Sequence, residues 1–138
     1  MLFEYEISAP ANTTQAAPVE ELIKLTHGRI VHAEIFFPDN SAGQLHIAIN
    51  DAIHQVWPLN TEGYIRGNNS AVIIERHYDL KQAPYEFTAK AWNTDDFYDH
   101  AAIIRFVMVP IETLLEEEQD RTWLRRIAER LGWKERRR

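Results

Sequence analysis

Apolar and polar residues alternate in short runs from Phe3 to Val109, and each run ends at a group of turn-forming residues. Such alternation is typical of β-strands that have one face in the core and one in solvent. The pattern predicts about eight strands, at residues 3–8, 19–25, 29–37, 44–49, 53–57, 72–78, 85–91 and 101–109. The predicted fold is therefore all-β, an antiparallel β-sandwich or jelly roll.

The same alternation predicts details within individual strands. Asn50 and Asp51 indicate a tight turn that joins two runs into a β-hairpin ending at Trp57. Residues 72–78 are predicted to form one continuous strand. In the third run, the residues expected to share the core-facing side are Val31, Ala33, Ile35 and Phe37.

Pro110 ends the last strand, because proline has no N–H to donate to a neighbouring strand. Beyond it the apolar residues follow helical spacing, which predicts an amphipathic C-terminal α-helix in residues 111–138 as an extension of a sandwich domain in residues 1–110. We expect the apolar stripe to dock on another subunit or a partner; the alternative is packing against its own sandwich. The predicted interface residues are Trp123, Leu124, Ile127, Leu131 and Trp133.

The net charge of -6 is unevenly distributed. Residues 1–112 contain 7 Lys/Arg and 15 Asp/Glu, whereas residues 121–138 contain 8 and 2. The predicted helix is thus acidic at its start and basic at its end, the orientation that the helix dipole favours. Because this accounts for the basic residues, we expect a protein-docking helix rather than a nucleic-acid-binding tail.

Composition excludes several classes of function. The chain has no cysteine, so a disulfide framework, a thiolate metal site and a cysteine nucleophile are impossible. The first residues have neither a basic region nor a long apolar stretch, which argues against a signal peptide or a membrane span. We therefore expect a cytoplasmic protein, unless a virus carries it out of the cell.

The sequence predicts no catalytic residue, metal site or cofactor. Ser, His and Asp occur in no nucleophile-elbow or triad context, and no glycine loop suits a phosphate. A cupin-like metal site needs two or three histidines on one inner face. No closely spaced pair occurs, although two can meet across the predicted hairpin, His46 and His54. The histidines are His27, His32, His46, His54, His77 and His100.

Two ligand sites remain as alternatives. One is calcium binding by the oxygen-rich loop after the seventh run, although the same residue types also satisfy turn backbone. The other is carbohydrate binding, with aromatic rings near this loop stacking on a sugar. The candidate ligand-binding residues are Trp57, Trp92, Asn93, Asp95, Asp96 and Asp99, with Tyr64, Phe97 and Tyr98 as further aromatic candidates.

Four segments, His54–Asn60, Pro84–Phe87, Ala91–Asp96 and His100–Arg105, resemble small β-sandwich accessory proteins of tailed bacteriophage virions. The resemblance covers roughly residues 3–110. It implies a non-enzymatic protein that decorates a capsid or joins head and tail components, assembles in the host cytoplasm, and works as a symmetric homo-oligomer with other virion structural proteins.

We accordingly expect a structural or assembly protein. A carbohydrate-binding module is the alternative, and a cupin-like metal-dependent enzyme is the third possibility.

Overall fold

The computed structural model describes residues 1–111, 125–127 and 129–130. These residues form two antiparallel sheets, so the predicted β-sandwich is confirmed. The strands are β1 (Leu2–Ala9), β2 (Val19–Lys24), β3 (Gly28–Phe37), β4 (Leu45–Asp51), β5 (His54–Trp57), β6 (Ser70–Ile74), β7 (Tyr78–Leu80), β8 (Glu86–Asn93) and β9 (His100–Val109).

The strand order is that of a jelly roll. The first sheet has the order β1-β9-β3-β6, with β7 also paired to β3, and the second sheet has the order β2-β8-β4-β5. Because β6 and β7 share one edge of β3, the nine strands fill eight positions. Apart from the β4–β5 hairpin and the β6–β7 connection, every connection crosses between the sheets, which produces the double Greek key of a jelly roll.

The core lies between the sheets and is built from the inward-facing residue of each alternating pair. Burying each large aliphatic or aromatic side chain contributes roughly 1.5 to 3 kcal/mol. The largest fully buried side chains are Phe37, Phe87, Phe106, Ile7, Ile23, Ile30, Ile35, Leu45, Ile47, Ile49, Ile104 and Met108.

A β-bulge in β3 corrects one sequence prediction. The pairing with β9 shifts between Ile30 and His32, so Val31 is an extra residue in the strand. As a result Ile30 takes the core position and is fully buried, whereas Val31 is half-buried. The prediction that Val31 shares the core face with Ala33 was therefore wrong, because a bulge reverses the alternation on one side of it.

The single strand predicted for residues 72–78 was also wrong. Ile74 pairs with Ala33, and Tyr78 pairs with Ile30. Between these two pairs, residues 75–77 of the edge strand lie opposite residues 31–32 of β3. A continuous ladder of backbone hydrogen bonds cannot form across this mismatch of one residue. The edge divides into β6 and β7 at this point.

Ile111 and residues 125–127 and 129–130 are helical, and the rest of the predicted helix lies outside the described residues. Of the five predicted interface residues, Ile127 is half-buried. The other four, Trp123, Leu124, Leu131 and Trp133, lie outside the described residues. No helix within the described part of the chain is long and apolar enough to cross a bilayer.

Candidate functional site

The two tryptophans predicted to bind a ligand lie on opposite faces of the second sheet. Trp57 is 8% exposed and points into the core, where its ring meets Phe87 edge-on with centroids 5.8 Å apart. Trp92 points outward from β8, since its neighbours Ala91 and Phe87 occupy the core-facing positions. The structure therefore does not bring Trp57 and Trp92 together on one surface.

Trp92 belongs to an aromatic cluster on the outer face of the second sheet. Its ring is parallel to that of His46, its cross-strand partner, with centroids 5.3 Å apart. Tyr64 packs edge-on against both rings, 4.4 Å from His46. The backbones of Ile65 and Ile47 exchange two hydrogen bonds, which place Tyr64 over β4. His46 is buried as a result.

Burial lowers the pKa of His46 below its ordinary value of 6.5, because desolvation disfavours the charged ring. His46 does not meet His54 across the hairpin, since the register pairs His54 with Asp51. Within the described residues, no three His, Asp or Glu side chains form a group that can hold a metal ion.

An excursion (residues 58–63) leaves the edge of the second sheet after β5. The side-chain amide nitrogen of Gln55 holds it by donating to the carbonyl oxygens of Pro58, Asn60 and Gly63 at 2.8, 2.9 and 3.1 Å. Leu59, within the excursion, is 83% exposed. The sequence did not predict that Gln55 holds the excursion, because nothing in the residues around it shows that the chain folds back against its side chain.

A groove of about 290 Å³ lies on this outer face. Its floor includes Glu20, Lys90 and Ala48, which are neighbours across β2, β8 and β4. Gln15, Ala16 and Pro18 line one side, and Thr61 and Gly63 of the excursion line the other. Trp92 also lines the groove, which therefore places polar side chains and an aromatic ring around one concave space.

The loop between β8 and β9 (residues 94–99, the aromatic loop) is organised around Asp95. One carboxylate oxygen of Asp95 accepts hydrogen bonds from the backbone N–H groups of Phe97 and Tyr98 at 2.9 and 3.3 Å. Its other oxygen lies 2.8 Å from Nε2 of His100. The N–H of Phe97, followed by the His100 ring, holds the pKa of Asp95 below its ordinary value.

Asn93, the last residue of β8, is buried and braces the aromatic loop. Its amide nitrogen donates to the carbonyl oxygens of Ala9 and Tyr98 at 3.2 and 2.8 Å, and its Oδ1 accepts from the N–H of Asp95 at 2.9 Å. The side-chain oxygens of Asn93 and Asp95 are therefore engaged in the loop's own hydrogen bonds.

The aromatic loop is also joined to the connection between β1 and β2. The N–H of Ala11 donates to Oδ1 of Asp99 at 2.9 Å, and the N–H of Asn12 donates to the carbonyl oxygen of Asp95 at 2.9 Å. The side-chain amide of Asn12 donates to the carbonyl oxygen of Asp96 at 3.2 Å. These bonds hold the loop while Asp96 itself remains exposed.

Two aromatic side chains project from this braced loop. Phe97 is 84% exposed and Tyr98 is 70% exposed. Asp96, Asp99 and Asp39, from the turn before β4, are exposed at the same end of the sandwich. This end therefore combines apolar rings with negative charge.

A cleft of about 620 Å³ lies at the opposite end, beside the turn between β7 and β8. Two of its three acidic residues, Asp51 and Asp79, have side-chain partners. The hydroxyl of Tyr78 donates to Oδ2 of Asp51 at 2.6 Å, and Asp79 accepts from Arg29 at 2.7 Å. Burial, followed by the Asp51 hydrogen bond, raises the pKa of Tyr78 to about 12, while Arg29 holds the pKa of Asp79 below its ordinary value. The Tyr78–Asp51 pair links the two sheets, and the Arg29–Asp79 pair joins β3 to β7 within the first sheet.

Comparison with protein-family models, with curated proteins and with solved structures finds no match to this chain.

Proposed function

We propose that this protein is a non-enzymatic assembly module that associates head to tail with copies of itself. In this proposal, the aromatic loop of one copy docks on the basic C-terminal segment (residues 121–138) of the next. The observation that carries the proposal is the pair of exposed rings, Phe97 and Tyr98, on a loop braced by hydrogen bonds to its neighbours.

A braced loop is suited to recognition. Aromatic side chains are frequent among the residues that dominate binding energy at protein interfaces. Holding the loop in one conformation before binding reduces the entropy lost on association. Asp95 supplies this order for Phe97 and Tyr98, since its carboxylate accepts from both backbone N–H groups.

Charge and position favour a second copy as the partner. The aromatic loop carries exposed Asp96 and Asp99, and residues 121–138 carry 8 Lys/Arg against 2 Asp/Glu. Strand β9 begins next to the loop and ends at Val109, about 30 Å away at roughly 3.3 Å per residue. A contact between two different, complementary segments of neighbouring copies is head to tail, and it generates rings when its rotation closes.

The fold alone does not distinguish an assembly protein from a carbohydrate-binding module or a cupin-like enzyme, because jelly rolls occur in viral capsid proteins, lectins and cupins. An enzyme of the cupin type needs ligands between the sheets, and the described interior is filled by apolar side chains such as Trp57 and Phe106. The resemblance to accessory proteins of tailed phages suggests the setting, a symmetric oligomer in a virion. That setting is part of the proposal.

Carbodiimide cross-linking on the full chain tests the contact, because it joins a carboxylate directly to a lysine amine. We expect cross-links from Asp96 or Asp99 to Lys134, the lysine in residues 121–138. Mixing ¹⁴N- and ¹⁵N-labelled protein identifies the ones that join different copies. Cross-links found exclusively within one copy, or a monomer at all concentrations in light scattering, contradict the proposal.

The double variant Phe97→Ser/Tyr98→Ser provides a second test. Association buries both rings in this proposal, so removal of each ring is expected to weaken association by roughly 1.5 to 3 kcal/mol. The matched control is Ile73→Ser, since Ile73 is also exposed, at 56%, but lies on the first sheet. Equal association of the double variant and the unmodified chain argues against docking through this loop.

A further inference from the structure

We infer that the groove on the outer face of the second sheet is a binding site for one neutral sugar ring. It lies on a sheet face rather than at the end of the sandwich, so this inference is independent of the assembly contact. The carrying observation is that Glu20, Lys90, Thr61 and Trp92 converge on a single concave space of about 290 Å³.

The size of the groove limits the ligand. A volume of 290 Å³ equals that of roughly ten water molecules at about 30 Å³ each, which suits one sugar ring and not a buried oligosaccharide. Ala48 makes this space available, since it is the smallest side chain in a row that also holds Glu20 and Lys90. A larger residue at this position would fill the floor.

The charges in the lining favour a neutral ligand. Nζ of Lys90 lies 3.8 Å from Oε1 of Glu20, and their side chains are 37% and 59% exposed. An exposed pair of this kind contributes little to stability, so its atoms can turn toward a ligand. Together the two groups add no net charge, and the remaining polar lining residues are uncharged.

The hydrogen-bonding groups match hydroxyls. The Glu20 carboxylate accepts, the Lys90 ammonium donates, and the Thr61 hydroxyl does both. A sugar hydroxyl also both donates and accepts, so adjacent hydroxyls on one ring can satisfy all three. Exposed Ala16 and half-buried Pro18 offer apolar contact to the C–H groups of the ring, while Trp92 and Ala48, 6% and 3% exposed, form part of the buried lining. Because Gln55 fixes the excursion that carries Thr61, this side of the groove is ordered before binding.

Other polymers fit the groove less well. An extended peptide binds by adding a strand to a free sheet edge, whereas this groove lies on the face of the sheet and its floor spans the interior strands β8 and β4 as well as β2. A nucleic acid requires a net positive surface, which the Glu20–Lys90 pair does not supply.

Nuclear magnetic resonance titration of the full chain tests the inference. The probes are methyl α-glucoside, methyl α-galactoside, methyl α-mannoside and N-acetylglucosamine. With at least one probe we expect saturable shifts of the Ala48, Thr61 and Lys90 amides and of the Trp92 indole N–H. No saturable shift with any of the four, or shifts confined to Phe97 and Tyr98, would overturn the inference.

Two variants locate the site. Glu20→Gln is expected to weaken binding of the responding sugar about tenfold, because a charged acceptor is lost. Glu21→Gln is the matched control, since Glu21 is the exposed neighbour on the same strand and lies outside the groove lining. Ala48→Leu is expected to abolish binding by filling the floor. Equal affinities of the Glu20→Gln and Glu21→Gln proteins would overturn the assignment.

Discussion

Nε2 of His100 lies 2.8 Å from Oδ2 of Asp95, which joins the first residue of β9 to the centre of the aromatic loop. The same carboxylate accepts from the backbone of Phe97 and Tyr98 through its other oxygen. One side chain thus links the rigid sheet to the two exposed rings. The order of the aromatic loop consequently depends on Asp95 more than on its acidic neighbours.

Replacement of Asp95 with alanine should loosen this loop while leaving the sandwich folded. The N–H groups of Phe97 and Tyr98 lose their acceptor, and we expect their hydrogen exchange to accelerate by about tenfold or more. Amide exchange followed by nuclear magnetic resonance measures this directly. Asp96→Ala is the control, because the Asp96 side chain is exposed and its hydrogen bond to Asn12 uses the backbone carbonyl. Equal exchange in the two variants contradicts the role given to Asp95.

Tyr78 and Asp51 form a hydrogen bond between the two sheets, and its removal in Tyr78→Phe should lower the free energy of unfolding by about 1 kcal/mol. The pKa of Tyr78 is raised from 10.0 to about 12. The stabilisation is therefore fully present below pH 10 and is lost as the pH rises toward 12, because the unfolded tyrosine ionises first.

Tyrosinate absorbance during an alkaline titration measures this effect. We expect a late transition from Tyr78 that is missing from Tyr78→Phe and retained in Tyr98→Phe, where an exposed ring is changed instead. A late transition that persists in the Tyr78→Phe protein assigns it to another residue.

His46 should make stability depend on pH in the opposite direction. Its pKa in the folded protein is below 6.5, so the unfolded state binds more protons as the pH falls through 6.5. The free energy of unfolding consequently decreases toward acid, with the contribution intact above this value. Urea unfolding on both sides of pH 6.5 should show a smaller decrease for His46→Phe than for the unmodified chain. His54→Phe, a change at an exposed histidine, should retain the full decrease.

Alternation predicted the architecture because each strand of a sandwich has its own inner and outer face. It placed Ala33, Ile35 and Phe37 correctly in the core. It failed at Val31, where one extra residue reverses the faces, since a bulge depends on pairing with distant β9. The break at residues 75–77 has the same origin, because the mismatch exists between two strands rather than within one.

The site was less accessible to sequence reasoning than the fold. The pattern marked the aromatic loop as polar, and the structure shows which oxygens brace it. The pattern did not predict that Trp57 faces the core and Trp92 the outer side of the sheet, because a tryptophan can lie on either face of a strand when other side chains pack over it. Burial of His46 arises from Tyr64, which reaches β4 through a backbone pair formed by Ile65. Contacts between residues so far apart along the chain leave no pattern in the sequence around either residue.

The two tryptophans should therefore respond differently to substitution. Trp57 packs between the sheets against Phe87 and Phe106, so Trp57→Ala leaves a cavity that should lower the free energy of unfolding by about 3 to 5 kcal/mol. Leu59→Ala, two residues further along the chain, should change it by less than about 0.5 kcal/mol because Leu59 is 83% exposed. Thermal and urea unfolding measure both values.

Trp57→Phe completes the comparison, because it keeps an aromatic ring in the core with a smaller loss of volume. We expect this variant to remain folded, since conservative core changes cost less than truncation to alanine. The same variant should bind the responding sugar of the groove as the unmodified chain does, because Trp57 faces away from that surface. Loss of sugar binding in a folded Trp57→Phe protein, with binding retained in Glu20→Gln, would place the ligand near Trp57 and not in the groove.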